Sequence, residues 1–502
     1  MITALLAAVL SAAPHVVGDA SNGGRVIVLV HQRAQLDAVT RGGGVEVIAR
    51  FQSMDGFVAK VTGAAWKRLA HDERVRSIEV DRVLRPHNGE AGTLTGARQV
   101  EQTLGFIGRG VRIAVLDTGV DRTHPDLDGG IIAEKCFVQP NGCPPAGTNV
   151  GDLAPDIALG HGTHIAGTLT GNGPLAPRGI AAGSELVMVR VFDAVAYGNE
   201  ADWALALDWV LTQRATYGFR LVNLSMGTDD AYTGACDSAW PAMGDAVARL
   251  RDAGVAAFSS TGNSAIDGGI TAPACLAATI SVGAVYDADL AREPDTGTYS
   301  SGCVDQNATA GSVICFSNST PTLDLLAPGS RIRSTANGGG VTEKRGTSQA
   351  AAHATAVAAL LLEADPLLTV DDLEQILEQT GVATVDPKTN ITTPRIDAAA
   401  AVARVLQTQC ARRASGAGCK LSASTNGTCS GTTCTPATMD AGTDAGTTTD
   451  AGTVPTDAGT MTADAGPKTI AEIEDSWPAA PGCSSAPALL IALTALLTRR
   501  RR

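Results

Sequence analysis

The sequence predicts an α/β protein: a parallel sheet with helices on both faces, preceded by a small α+β unit. Two patterns carry this prediction. Between residues 100 and 406, short β-rich runs alternate with helical stretches, and between residues 24 and 86 four strand-like runs enclose two helical ones. Strands that alternate with helices lie side by side and send their crossovers over both faces.

In the small unit, RVIVLV reads as a strand, RAQLDAVTRG as a helix ended by glycines, and VEVIARF and GFVAKVT as strands. AAWKRLAHDER supplies a second helix and RSIEVDRVL a last strand. The order β-α-β-β-α-β is that of a ferredoxin-like fold. Pro86 and the polar HNGEAGTLTGAR then read as an exposed linker open to proteolysis.

In the large unit, the strands are GVRIAVLD, ELVMVRVF, RLVNLSM, VAAFSSTG and TISVGAV, with helices at ADWALALDWVLTQ and AVARLRDAG. Loops at the carboxyl ends of such strands collect active-site residues.

The flanks differ in character. Residues 1–20 begin MITALLAAVLSAAP, an apolar run with small residues at Ser11 and Ala13, which reads as an export signal. Eleven cysteines fit an oxidising compartment. Cys136 lies near Cys143, Cys236 near Cys275 and Cys303 near Cys315; Cys410, Cys419, Cys429 and Cys434 follow in a segment over 407–435 whose connectivity stays open, and Cys483 is left over. Residues 436–475 repeat Asp-Ala-Gly, with Asp440, Asp444, Asp450, Asp457 and Asp464 each opening a triplet. With few large apolar side chains this run reads as a solvated tether. Residues 480–502 end in an apolar stretch and four arginines, a pattern that favours retention at a membrane.

A formal charge of −13 argues against nucleic-acid binding, which needs a basic face. The chemistry points elsewhere. Hydrolysis of a peptide by a serine needs a hydroxyl, an imidazole to carry its proton, a carboxylate to orient the imidazole, and donors for the oxyanion. Asp117 ends the apolar run VRIAVLD; His161 stands in HGTHIAGT, where small residues let a helix begin; Ser348 stands in GTSQAAAH, at the first turn of an alanine-rich helix.

DTGVDRTHPDL, HGTHIAGT and GTSQAAAH, in that order, resemble the signature blocks of the subtilase family, and the resemblance covers nearly all of residues 100–406. It implies a subtilisin-like serine endopeptidase acting on polypeptide substrates. Asp117 would orient His161, His161 would be the general base and then acid, and Ser348 would form the acyl-enzyme. Asn263, in SSTGNSA, matches the oxyanion asparagine. Ser225, Met226 and Gly227, in NLSMG, match the substrate-binding strand. Residues 24–88 resemble the family's inhibitory propeptide, an intramolecular inhibitor cut off near residues 87–100. Catalysis would need no cofactor. Structural calcium follows family habit, with Asp126 in HPDL as the candidate ligand, although the loop GNGPLAPRG is short. His124, His164 and His353 are read as structural. Asp267 is either a turn residue or a feature favouring basic substrates.

The C-terminal segment resembles the sorting tails of myxobacterial surface proteins. It implies sorting machinery as a partner, Cys483 as a processing or lipid-attachment site, and an extracellular or outer-membrane-attached enzyme. A binding protein on an inactive scaffold would lack a triad or oxyanion residue, and all four are present. A peptide ligase would need a lid, and no long insertion flanks the motifs.

Overall fold

The computed structural model describes residues 14–17, 20–51, 54–80, 89–295 and 301–436. The calls on 436–475 and 480–502, including Cys483, fall outside these residues apart from position 436. Among the described residues, no helix is long and apolar enough to cross a membrane.

The N-terminal sheet runs in the order His15–Val17, Val75–Val80, Gly24–Val30, Gly56–Val61, Val45–Arg50. Alternate residues Val26, Val28 and Val30 meet Phe57, Ala59, Val61 and Ile78 in one core, as the period of two in a strand requires. Helix Gly63–Leu69 lays Ala65, Trp66 and Leu69 on that core, and Thr62 caps it by accepting from the Ala65 amide at 3.3 Å. The strand His15–Val17 and the buried Ala20 lie inside the 1–20 stretch read as a leader. Residues 1–13, which carry the apolar run of that call, lie outside the described residues.

The expected exposed linker is corrected in its second half. Gly89–Leu94 and Ala97–Leu104 are helices, and Ala91, Thr95, Ala97 and Val100 are buried. The Leu94 carbonyl accepts from Arg395 at 2.9 Å and the Thr95 carbonyl from the Ala398 amide at 2.6 Å. Small apolar residues inside a polar stretch made this segment look like a linker; its burial comes from contacts 300 residues away in sequence.

The large sheet has ten strands, ordered Val382–Val385, Thr392–Arg395, Leu325–Pro328, Thr279–Val285, Ala256–Ser260, Phe219–Leu224, Arg112–Asp117, Glu185–Arg190, Ile131–Phe137, Val150–Gly151. The inner neighbours pair in parallel, but each outermost strand pairs antiparallel, so the sheet is mixed and not purely parallel as expected. At one edge, the short connection from Val385 to Thr392 can return the chain only in the antiparallel sense.

Both faces are covered. Ile113, Val115, Leu186, Met188, Leu221 and Phe258 face a core built with helices His161–Thr170, Thr347–Ala364 and Ala398–Thr408. Ala114, Leu116, Val187, Val189, Val222 and Leu224 face a second core, with helices Glu200–Tyr217 and Pro241–Asp252. These strands are therefore apolar on both sides, which is why they read as continuous runs.

Five disulfides form: Cys136–Cys143, Cys236–Cys275, Cys303–Cys315, Cys410–Cys429 and Cys419–Cys434. The last two interleave and tie together a sheet of Gly418–Lys420, Asn426–Ser430 and Thr433–Pro436. This segment is anchored to the large unit through Asp365. That fully buried carboxylate accepts from Arg412 at 2.8 Å and Arg413 at 2.6 Å.

Candidate active site

Asp117 ends its strand in register with Arg190, and the neighbouring Leu116 pairs with Leu224, so Asp117 and Ser225 leave the sheet at the same edge. His161 is the first residue of helix His161–Thr170, and Ser348 the second of Thr347–Ala364. The helix of His161 sits hard against the Asp117 loop. A Cβ on Gly162 would stand 2.0 Å from the Gly119 carbonyl oxygen, so only glycine permits this approach. Gly119 itself has φ +115°, a turn that no β-branched residue tolerates.

Asp117 is fully buried. Its Oδ1 accepts from His161 Nδ1 and from the Thr118 amide, both at 2.7 Å. The His161 ring is one-fifth exposed, so its other nitrogen can meet a ligand. Burial works against the imidazolium, but the charge and hydrogen bond of Asp117 outweigh it, and the His161 pKa stands above its ordinary value.

A second carboxylate braces the pair. Asp156 Oδ1 accepts from the Thr118 hydroxyl at 2.7 Å, and Oδ2 from the Thr163 amide at 2.8 Å and from the Thr163 hydroxyl. Thr118 Oγ1 accepts in turn from the Gly162 amide at 2.8 Å. The loop of Asp117 and the helix start of His161 are thus held as one unit. Burial raises the pKa of Asp156. Asp156 lies outside the three motifs, and single-sequence reading missed it; its place five residues before His161 was the available signal.

Ser348 is partly buried. Its hydroxyl donates to the Ser225 carbonyl at 3.4 Å, and among the described residues no hydrogen bond joins it to His161. Active-site hydrogen bonds are often long or misaligned before substrate arrives, and rotation about one side-chain bond redirects such a hydroxyl. Asn263 Oδ1 accepts from the Thr347 amide at 2.8 Å and the Thr347 hydroxyl at 2.9 Å. Because an N–H must point at oxygen, this fixes the Asn263 amide and turns its NH2 donor away from Thr347.

Ser225 and Met226 are buried and Gly227 is exposed. The Ser225 hydroxyl accepts from Asn223 Nδ2 and donates to the Ser348 carbonyl, each at 2.8 Å. The Met226 side chain belongs to the second core, and its carbonyl accepts from Ser260 Oγ at 3.0 Å. Met226 thus supports the segment from behind, whereas Ser225 adjoins Ser348.

Three histidines have structural partners: His124 Nε2 lies 2.7 Å from the Gly340 carbonyl, His164 Nε2 2.9 Å from that of Ile332, and His353 Nδ1 2.8 Å from that of Gln349. Burial pushes the pKa of His164 down to about 3 and that of His353 to about 4.

One expectation is corrected, for Asp126, and the alternatives left open for Asp267 are narrowed. Asp126 is fully buried, and its carboxylate accepts from the amides of Leu175 at 3.0 Å and Ala176 at 2.5 Å. N–H donors aimed at both oxygens anchor the short loop after the His161 helix and do not fit a cation. Asp267, half exposed, lies 3.4 Å from Lys388 Nζ, so its charge is partnered within the chain and not offered to a substrate.

Comparison with known proteins gives one family match: the model of the subtilase family, peptidase S8, matches residues 108–416. The chain is 27% identical to a thermostable alkaline protease of Halalkalibacterium halodurans over 71% of this chain and 86% of that one. It is 27% identical to subtilisin E of Bacillus subtilis over 69% of this chain and 80% of that one. A solved protease from Pseudoalteromonas arctica is 25% identical with a TM-score of 0.50, covering 62% of this chain and 93% of that one.

Proposed function

This chain belongs to the subtilase family and is a serine-type endopeptidase, and on that premise we propose that Asp117, His161 and Ser348 are its catalytic triad. The observation that carries the assignment is the 2.7 Å bond from His161 Nδ1 to the buried Asp117, which commits one ring nitrogen to the acid and leaves Nε2 as the nitrogen available to a nucleophile. Asp117 holds this tautomer and stabilises the imidazolium. His161 takes the Ser348 proton as Oγ attacks the scissile carbonyl, then gives it to the leaving amine. A water attacks the acyl-enzyme by the same route in reverse.

The Asn263 NH2 and the Ser348 backbone N–H serve the oxyanion. The dipole of the 18-residue helix that begins at Thr347 adds positive potential there. Substrate lies extended along Ser225–Gly227, pairing by backbone as an added strand. Asn263 supports this arrangement, because its oxygen is already committed to Thr347.

The enzyme acts after export. The apolar N-terminal run and five disulfides support this reading. The ferredoxin-like unit ending near residue 80 is an inhibitory propeptide whose removal matures the enzyme, and the C-terminal segment is a sorting tail that places it at the cell surface.

The decisive experiment follows hydrolysis of denatured casein by wild type and by Ser348→Ala, with the size of the N-terminal fragment tracked in both. Activity with propeptide loss in wild type, both absent in the variant, supports the reading. A processed, folded wild type without activity overturns it.

A further inference from the structure

Lys344 closes the strand Gly340–Lys344, four residues before Ser348. That strand pairs with Ile332–Ala336, and the hairpin is stapled to the His161 region. The hydroxyls of Ser334 and Thr335 donate to the His164 and Thr163 carbonyls at 2.9 and 2.6 Å. Asn337 Nδ2 donates to the Ile157 carbonyl at 3.0 Å, and Lys344 Nζ to that of Leu159 at 2.9 Å. The ammonium is thereby fixed beside the loop that carries His161.

An ammonium has three donors, and Leu159 takes one. Among the described residues no carboxylate forms an ion pair with Lys344, whereas its neighbour Arg345 is paired with Asp295 at 2.8 Å. Lys344 is half buried, and a charge removed from water without a partner is costly. Burial lowers its pKa, and the nearby Asp156 and Asp117 oppose that effect. Asp156 is already engaged by other donors through both oxygens and Asp117 through Oδ1, whereas Asp117 Oδ2 is buried and forms no ion pair with Lys344.

The sides of the cleft are distinguishable. Ser225–Gly227 and Asn263 serve the acyl half of the substrate, while the imidazole hands its proton to the leaving amine. Lys344 is tied to the imidazole's loop, and it is by this tie that it is assigned to the leaving half. Resting on the protease reading, we propose that Lys344 is a specificity-determining residue that selects peptides with an acidic side chain on the leaving-group side of the scissile bond. The substrate carboxylate takes the two donors that the described residues leave unused.

The test uses three internally quenched peptides that differ only in the two residues after the scissile bond, carrying Asp, Asn or Lys there. Wild type, Lys344→Gln and Lys344→Glu are compared, with competent sites counted by fluorophosphonate labelling of Ser348. Wild type should prefer the Asp peptide over the Asn peptide in kcat/KM by about 2- to 5-fold, the range of a partly exposed ion pair. The preference should shrink in about 0.5 M salt, where such charges are screened. Lys344→Gln should lose it, and Lys344→Glu should turn it toward the Lys peptide.

Equal wild-type rates on the Asp and Asn peptides overturn the proposal, as does a preference retained in Lys344→Gln or one that follows acidic residues on the acyl side. If a variant is not labelled, the wild-type ratio and its salt dependence decide. A wild type that labels but shows no ratio refutes this inference alone; one that neither labels nor cleaves refutes the protease reading, and the inference with it.

Discussion

The Thr347 backbone N–H donates to Asn263 Oδ1 across 2.8 Å, joining the loop after one central strand to the first turn of the helix that carries Ser348. This bond orients the amide whose other end is assigned to the oxyanion. Asn263→Ala should lower kcat about 10²- to 10³-fold with a small change in KM, because the donor acts mainly in the transition state. Steady-state kinetics on a neutral peptide check this, and a KM effect alone would sink the assignment.

The pH profile follows from His161. General-base action needs the neutral ring, and the ring's pKa stands above its ordinary value, so kcat/KM should rise with pH through a midpoint above about 6.5. Asp156 adds negative charge near the ring, so Asp156→Asn should move that midpoint down as well as reduce the rate. An unmoved midpoint would reduce Asp156 to a purely structural brace.

Acid stability is set by other histidines. His164 and His353 are held neutral, with pKa values of about 3 and about 4, against about 6.5 in an unfolded chain. Between those values the unfolded chain binds more protons, so their stabilisation is complete above about 6.5 and is lost as pH falls toward 4 and then 3. Burial raises the pKa of Asp287 to about 7, which opposes this loss over the same pH window. The contrast between proteins isolates the histidine: from pH 7 to pH 4.5 the urea midpoint of His353→Gln should rise relative to that of wild type, and an unchanged difference would refute this account.

Maturation should cut before the helix that begins at Gly89, because Ala91 and the backbone of Leu94 and Thr95 are packed into the large unit. N-terminal sequencing of the mature enzyme should place the new terminus between residues 81 and 89. A terminus beyond Thr95 would show that this packing is dispensable.

The anchor of the cysteine-rich segment is also testable. Asp365→Ala leaves Arg412 and Arg413 partly buried without their shared acceptor, and should cost about 3 kcal/mol in unfolding free energy. Denaturant titration under oxidising conditions measures it. A cost below about 0.5 kcal/mol, the level of an exposed pair, would mean the segment docks by other contacts.

Much of this was legible along the chain. Strands such as Arg112–Asp117 announce themselves because both faces are buried, and each motif of the triad contains its own turn and helix start. The three sequence-near disulfides were legible for the same local reason. The crossed pairing of Cys410 with Cys429 and Cys419 with Cys434 was not, since all three connectivities of four cysteines are possible within so short a segment.

What the sequence by itself determined is the identity and order of the groups proposed as acid, base, nucleophile and oxyanion amide, each carried on a local pattern of turn and helix. The tertiary structure alone decided what surrounds them. It spent the carboxylate of Asp126 on backbone amides and that of Asp267 on Lys388, buried the supposed linker, set Asp156 as a brace, and left Lys344 beside the His161 loop with no carboxylate partner among the described residues. The reason is physical: whether a charge is spent or available depends on partners brought together from distant parts of the chain, and no local pattern encodes them.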